Sequence, residues 1–187
     1  MSLEWLNLTT EKSQIVWKNF SGTREIFTKN KKTSNLDFWN PYKSKIAAAI
    51  FNGLEIFPFK ENIKIFYHTD DLLDETNLHF SNILESNGKI FTKNDELNIK
   101  TDSLDIFFID IHDDKYILDS INGSSNLLKT HGFLIFSTSI ISKSQNSDNH
   151  VNFLISQMKQ KKFSLIQEVN LSDYFREHIL VIMQKNK

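Results

Sequence analysis

Two cations and a hydroxyl, Lys43, Ser44 and Lys45, stand at the head of the stretch WNPYKSKIAAAI, residues 39–50. The stretch predicts a helix. Asn40 can cap it, Pro41 suits the first helical position where its missing N–H costs nothing, and Gly53 stops it. Ile46, Ala49, Ile50 and Leu54 form its core stripe, and the small alanine face permits close packing. Cations at this end need a reason, because the positive end of a helix dipole favours anions. A first turn rich in N–H groups and lysine suits a phosphate backbone, which makes Lys43, Ser44 and Lys45 candidate nucleic-acid contacts. An ordinary capped core helix accounts for the same residues.

A second group is acidic. Asp70, Asp71, Asp74 and Glu75 follow one candidate strand, and Asp110, His112, Asp113 and Asp114 lie at the end of another. In an α/β sheet both groups would converge at one edge. Carboxylates with a histidine can hold a divalent cation. Strand-end loops are as readily acidic for capping and solubility, and no metal site is assigned.

The elements that must position these residues alternate. Strands are predicted at residues 14–19, 23–29 and 36–39, with Ser21-Gly22 as a turn. After the first helix come a strand at 63–68, a helix at 74–84 and a short strand at 89–92. The run LDIFFIDI at 104–111 is nearly continuously apolar, as expected of a strand covered on both faces. A helix at 115–128, a strand at 133–138, a helix at 148–162 and strands at 163–169 and 178–184 complete the chain. This alternation predicts an α/β sheet with right-handed crossovers.

Composition narrows the class. With 187 residues, 40% hydrophobic and 24% charged, the chain is expected to form a globular domain with a sizeable core. No apolar run approaches the roughly 18 residues of a membrane helix, and no secretory leader is expected at its start. Zero cysteines exclude disulfides and thiolate metal sites, and fit a cytoplasmic protein. The net charge of −1 gives no global basic field, so nucleic-acid contact would rest on local patches or partners. Sixteen Phe against five Gly leaves little glycine for a phosphate-cradling loop.

Three ordered segments resemble one family. WNPYKSKIAAAI is similar to the W-N-P-F/Y-R/K-S-K-L/I-A-A-A-I segment of fibrillarins, the RNA 2′-O-methyltransferases of box C/D ribonucleoproteins. LDIFFID at 104–110 resembles the family's V-D-x-x-F/Y-x-D strand, and LSDYFREH at 171–178 its L-x-P-Y-x-x-D/E-H segment. TREIFTKN at 23–30 resembles its N-terminal β-rich piece. The resemblance implies a reduced, Rossmann-like S-adenosylmethionine-dependent methyltransferase fold over residues 40–187, behind a β-rich extension over residues 1–39. It also implies that Lys45, Asp110 and His178 match three members of a Lys–Asp–Lys–His set around the target ribose. A ribose hydroxyl needs a base and cations that stabilise developing negative charge.

The chain departs from the family in three places. The second lysine falls on Ser139, and Lys143 would replace it only if its loop bends back. The glycine-rich cofactor loop reads TDDLLDET, with Thr69, Asp70, Asp71 and Thr76 as its degenerate remnant and no glycine for close approach to a ligand. Its carboxylates would face the carboxylate of S-adenosylmethionine, a repulsion on the order of 1 kcal/mol or more per close charge pair. Eleven residues, 93–103, stand where a strand–helix–strand step takes about 30, so the wall for adenine and the acidic ribose contact are expected to be missing, with Glu96 a poor substitute. The expectation is a fibrillarin-like subunit, impaired in methyl transfer and binding no cofactor, that docks on a Nop-domain scaffold protein and box C/D guide RNA. Two alternatives are an active S-adenosylmethionine-dependent RNA 2′-O-methyltransferase and an α/β interaction module unrelated to RNA.

Overall fold

The computed structural model describes residues 14–30, 32–84, 87–111, 114–140 and 147–187. Lys143, His112 and Asp113, singled out from the sequence, lie outside the described residues.

Three N-terminal strands, β1 (Ile15–Phe20), β2 (Thr23–Lys29) and β3 (Leu36–Phe38), form a small antiparallel sheet in the order β1-β2-β3. Ser21 and Gly22 make its tight hairpin turn at φ +49° and +86°, the left-handed pair that matches strand twist. The main sheet has six strands: β4 (Lys64–Thr69), β5 (Lys89–Phe91), β6 (Leu104–Asp110), β7 (Leu128–Ser139), β8 (Phe163–Asn170) and β9 (His178–Lys185). Their spatial order is β5-β4-β6-β7-β9-β8; β4 to β7 run parallel, and β9 is antiparallel to both β7 and β8.

Helices α1 (Lys45–Phe51) and α2 (Thr76–Ile83) cover one face of this sheet together with the small sheet. Helices α3 (Asp114–Leu127) and α4 (Ser147–Gln160) cover the other. Alternate residues of β6 serve the two cores: Ile106 and Phe108 face α1, whereas Phe107 and Ile109 face α3 and α4. Burial on both faces explains why β6 is apolar almost throughout.

One strand boundary differs clearly from expectation. β7 begins at Leu128, five residues early, because it pairs with Leu104 before an irregularity that re-registers it at Phe133 opposite Ile106. Gly132 permits that irregularity: a Cβ there would lie 2.9 Å from the Lys129 carbonyl oxygen and 3.2 Å from that of Asp105. Between β5 and β6 the chain makes only a 3-10 helix (Lys93–Asn98), so the extra helix–strand step is replaced by a single short turn element. Among the described residues no helix is long and apolar enough to cross a membrane.

Candidate functional site

Helix α1 starts later than its sequence suggests, and this changes what its first residues do. Asn40 does not cap it. Its side-chain oxygen instead accepts the Tyr42 N–H at 2.9 Å and its carbonyl accepts the Lys43 N–H at 3.1 Å, closing a turn before the helix. Ser44 is the N-cap, accepting from the Ala47 N–H at 3.3 Å. Pro41 therefore sits in that turn and not at the first helical position.

The shift sends two of the three candidate phosphate contacts inward. Ser44 is fully buried and its hydroxyl meets that of Thr76 at 2.7 Å. Lys45 is 4% exposed and its ammonium forms an ion pair with Asp110, itself 2% exposed, at the carboxyl end of β6. The ring of Phe175 closes over the same ammonium, 5.5 Å from centroid to nitrogen. Lys43 alone stays at the surface, paired with Glu75 at 2.6 Å. Sequence distance hides these contacts: Lys45 and Asp110 are 65 residues apart.

Register places the remaining members. Asp110 pairs with Thr69 on one side and Ser137 on the other, Ser137 opposes Leu180, and Ser139 opposes His178. Paired and alternate residues share a face, so Thr69, Asp110, Ser137, Ser139 and His178 all lie on the α1 side. His178 is two strands across and two residues along from Asp110, on the order of 12 Å between Cα atoms. Its Nδ1 lies 2.7 Å from the Arg176 carbonyl oxygen, which fixes the ring. Ser137, buried beside Asp110, has no hydrogen-bond partner for its hydroxyl among the described residues.

The segment between β4 and α2 closes upon itself. The Asp70 N–H donates to the Asp110 carbonyl at 3.4 Å, Asp71 N–H to Thr69 Oγ1 at 3.1 Å and Leu73 N–H to Asp71 Oδ1 at 2.9 Å. The Asp74 N–H donates to the Asp71 carbonyl at 3.3 Å, Glu75 N–H to the Lys43 carbonyl at 3.0 Å and Thr76 N–H to Asp74 Oδ1 at 2.9 Å. Asp74 Oδ2 also accepts from the Thr76 hydroxyl at 2.8 Å. Asp71 thus closes a turn, Asp74 caps the start of α2 and Glu75 pairs with Lys43. Among the described residues no three His, Cys, Asp or Glu side chains converge on a metal position. Partial burial pushes the Asp74 carboxyl up to about 6, against hydrogen bonding from the Tyr67 hydroxyl and Thr76 that favours its charged form. The Tyr67 hydroxyl lies beside Asp74, and burial, with the charges of Asp110 and Asp74, raises it well above the ordinary tyrosine value.

A methyl-donor cradle works by aiming backbone N–H groups at its ligand. Here six of the N–H groups in residues 70–76 are engaged within the protein, no residue of the segment is glycine, and a carboxylate is turned inward. These residues do not fit S-adenosylmethionine in the manner of a glycine-lined loop.

A mostly parallel sheet with an antiparallel β9, helices on both faces and polar residues gathered at strand carboxyl ends is a Rossmann-like methyltransferase fold. Aeropyrum pernix fibrillarin, solved with natively bound S-adenosyl-L-methionine, matches it at TM-score 0.75 and 16% identity over 91% of this chain and 94% of that one. The fibrillarin of a fibrillarin/Nop5p complex matches at 0.67 and 18% over 87% and 94%. A fibrillarin-like rRNA/tRNA 2′-O-methyltransferase of Pyrobaculum aerophilum is 25% identical over 181 aligned residues, covering 79% of this chain and 76% of that protein. The Fibrillarin family model matches residues 5–98, and the chain belongs to that family.

Proposed function

We propose that this chain works in box C/D RNA-guided 2′-O-methylation, in rRNA or tRNA processing, as a subunit that docks on a Nop-domain scaffold and positions RNA while being impaired in methyl transfer. The observation that carries the impairment is the self-satisfied segment between β4 and α2. Six N–H groups of residues 70–76 are spent on the segment's own aspartates, the Thr69 hydroxyl and neighbouring carbonyls, so a donor's carboxylate would meet an acidic segment in place of a row of open N–H groups. The sealed Lys45–Asp110 pair agrees, since each charge already satisfies the other away from water. Family membership and the likeness to the fibrillarin of a fibrillarin/Nop5p complex support the scaffold partner.

An active S-adenosylmethionine-dependent RNA 2′-O-methyltransferase is the second reading. What favours it is the retention of Lys45, Asp110 and His178 on one face of the sheet. Calorimetric titration of the chain with S-adenosylmethionine separates the two readings. No binding in the micromolar range is expected, and micromolar affinity would overturn the impaired reading. Co-purification with a Nop-domain protein and guide RNA is expected in the same cells, and its absence would remove the ribonucleoprotein role.

A further inference from the structure

We propose that Tyr42 and Tyr174 form a stacking platform for one unpaired RNA base at the mouth of the Lys45–Asp110 corner. The proposal rests on the RNA-positioning reading and names the part of the nucleotide that is held. Tyr42 is 66% exposed, yet it is carried on a fixed turn whose Tyr42 and Lys43 N–H groups are both bound by Asn40. Its ring packs edge-on to Tyr174 with centroids 5.1 Å apart and an interplanar angle of 72°. Tyr174 in turn leans on Phe51 at 5.8 Å, and Phe51 meets Trp17 at 5.4 Å. Four rings therefore run from the small sheet out to solvent, and the outermost is braced from behind. An exposed ring with few torsions left to freeze is a low-cost surface for a base.

The corner's cations each stand beside a carboxylate, so the corner has little net positive charge and stacking carries the contact. Lys43 is paired with Glu75, Arg176 with Glu177 at 3.2 Å, and Lys45 with Asp110. Binding driven by phosphate grows with the net positive charge facing the strand, and balanced pairs supply little of it. Stacking needs only a π-face, and bases within a duplex do not offer theirs, so the occupant is a single-stranded nucleotide. Lys45 lies three residues beyond Tyr42 and under Phe175, the neighbour of Tyr174, so a base on the platform sits next to the family's ribose corner.

The test uses the full chain and a labelled oligoadenylate of about 12 nucleotides, read by fluorescence anisotropy. Tyr42→Ala should weaken binding about tenfold, and Tyr42→Phe should leave it unchanged. Raising salt from about 50 to about 200 mM should cost less than about tenfold, the response of no more than about two phosphate contacts. No binding by the wild-type chain, unchanged affinity in Tyr42→Ala, or a steep salt response would each overturn the platform. Assembly with the Nop-domain protein and guide RNA is followed in parallel. Assembly that proceeds beside an unaffected Tyr42→Ala variant removes the platform alone; failed assembly beside Tyr42-dependent binding removes the ribonucleoprotein role alone.

Discussion

An ammonium and a carboxylate taken out of water together depend on each other for much of their stability. Lys45 and Asp110 are in that position, at 4% and 2% exposure, and their attraction has to offset two desolvation penalties. Removing one partner strands the other. Lys45→Met should destabilise the fold by about 3–5 kcal/mol in urea unfolding, and Asp110→Asn by a comparable amount. The double variant Lys45→Met/Asp110→Leu should cost much less than the sum, because no buried charge is left behind. Additive single effects would mean that the two charges are independently solvated, and the corner would then be open to a ribose. Asp110 stands opposite the buried Ser137 hydroxyl, so the same experiment in a Ser137→Ala background asks whether that orphan group contributes.

At the scale of elements, seven-residue α1 is held at its start by Ser44. The Ser44 hydroxyl accepts from the Ala47 N–H and donates to the Thr76 oxygen, since Thr76 gives its own proton to Asp74. One atom therefore joins the N-termini of α1 and α2. Ser44→Ala should cost about 1–2 kcal/mol, combining a lost cap with a lost buried hydrogen bond. Ser44→Thr should recover most of it in the same thermal-melt assay if its methyl is accommodated. The strands were legible in the sequence because a buried parallel strand reads as an apolar run, as β4, β6 and β7 do. The start of α1 was not, since Asn40-Pro41 and Ser44 both fit a helix entry and only tertiary contacts with Thr76 and Asp110 choose the second. The acidic cluster was misleading for a related reason: spacing shows that Asp71, Asp74 and Glu75 are close, but not that each is consumed by a turn, a cap or a lysine. Tyr42 was missed because a tyrosine in a helix-like motif gives no sign of facing solvent.

Across the whole molecule, two titrating groups tie the small sheet and the β4–α2 segment to opposite responses to acid. His79 on α2 is fully buried, stacked on Trp39 at 4.8 Å, with Nδ1 2.7 Å from Thr28 Oγ1 on β2. Asn82 donates to the same Thr28 oxygen at 2.9 Å and to Asp37 at 2.8 Å, so α2 and the small sheet share one polar network. Burial lowers His79 from 6.5 to about 4, outweighing the opposing pull of Glu75 and Asp37. The unfolded chain then binds more protons between those values, and stability is lost as pH falls from 6.5 towards 4. Asp74 behaves in the reverse sense. Its rise from 3.8 to about 6 means the folded chain holds the extra proton, so stability is gained as pH falls from 6 towards 3.8. Each effect is worth about 3 kcal/mol at most, and their windows overlap between pH 4 and 6. The two slopes should nearly cancel there in the wild-type chain. Asp74→Asn removes one of them, so its urea midpoint should fall steeply on acidification. His79→Gln removes the other, so its midpoint should rise over the same range, whatever offset the substitution itself imposes. Parallel midpoint curves for the three proteins would show that neither group is held away from water as the fold requires.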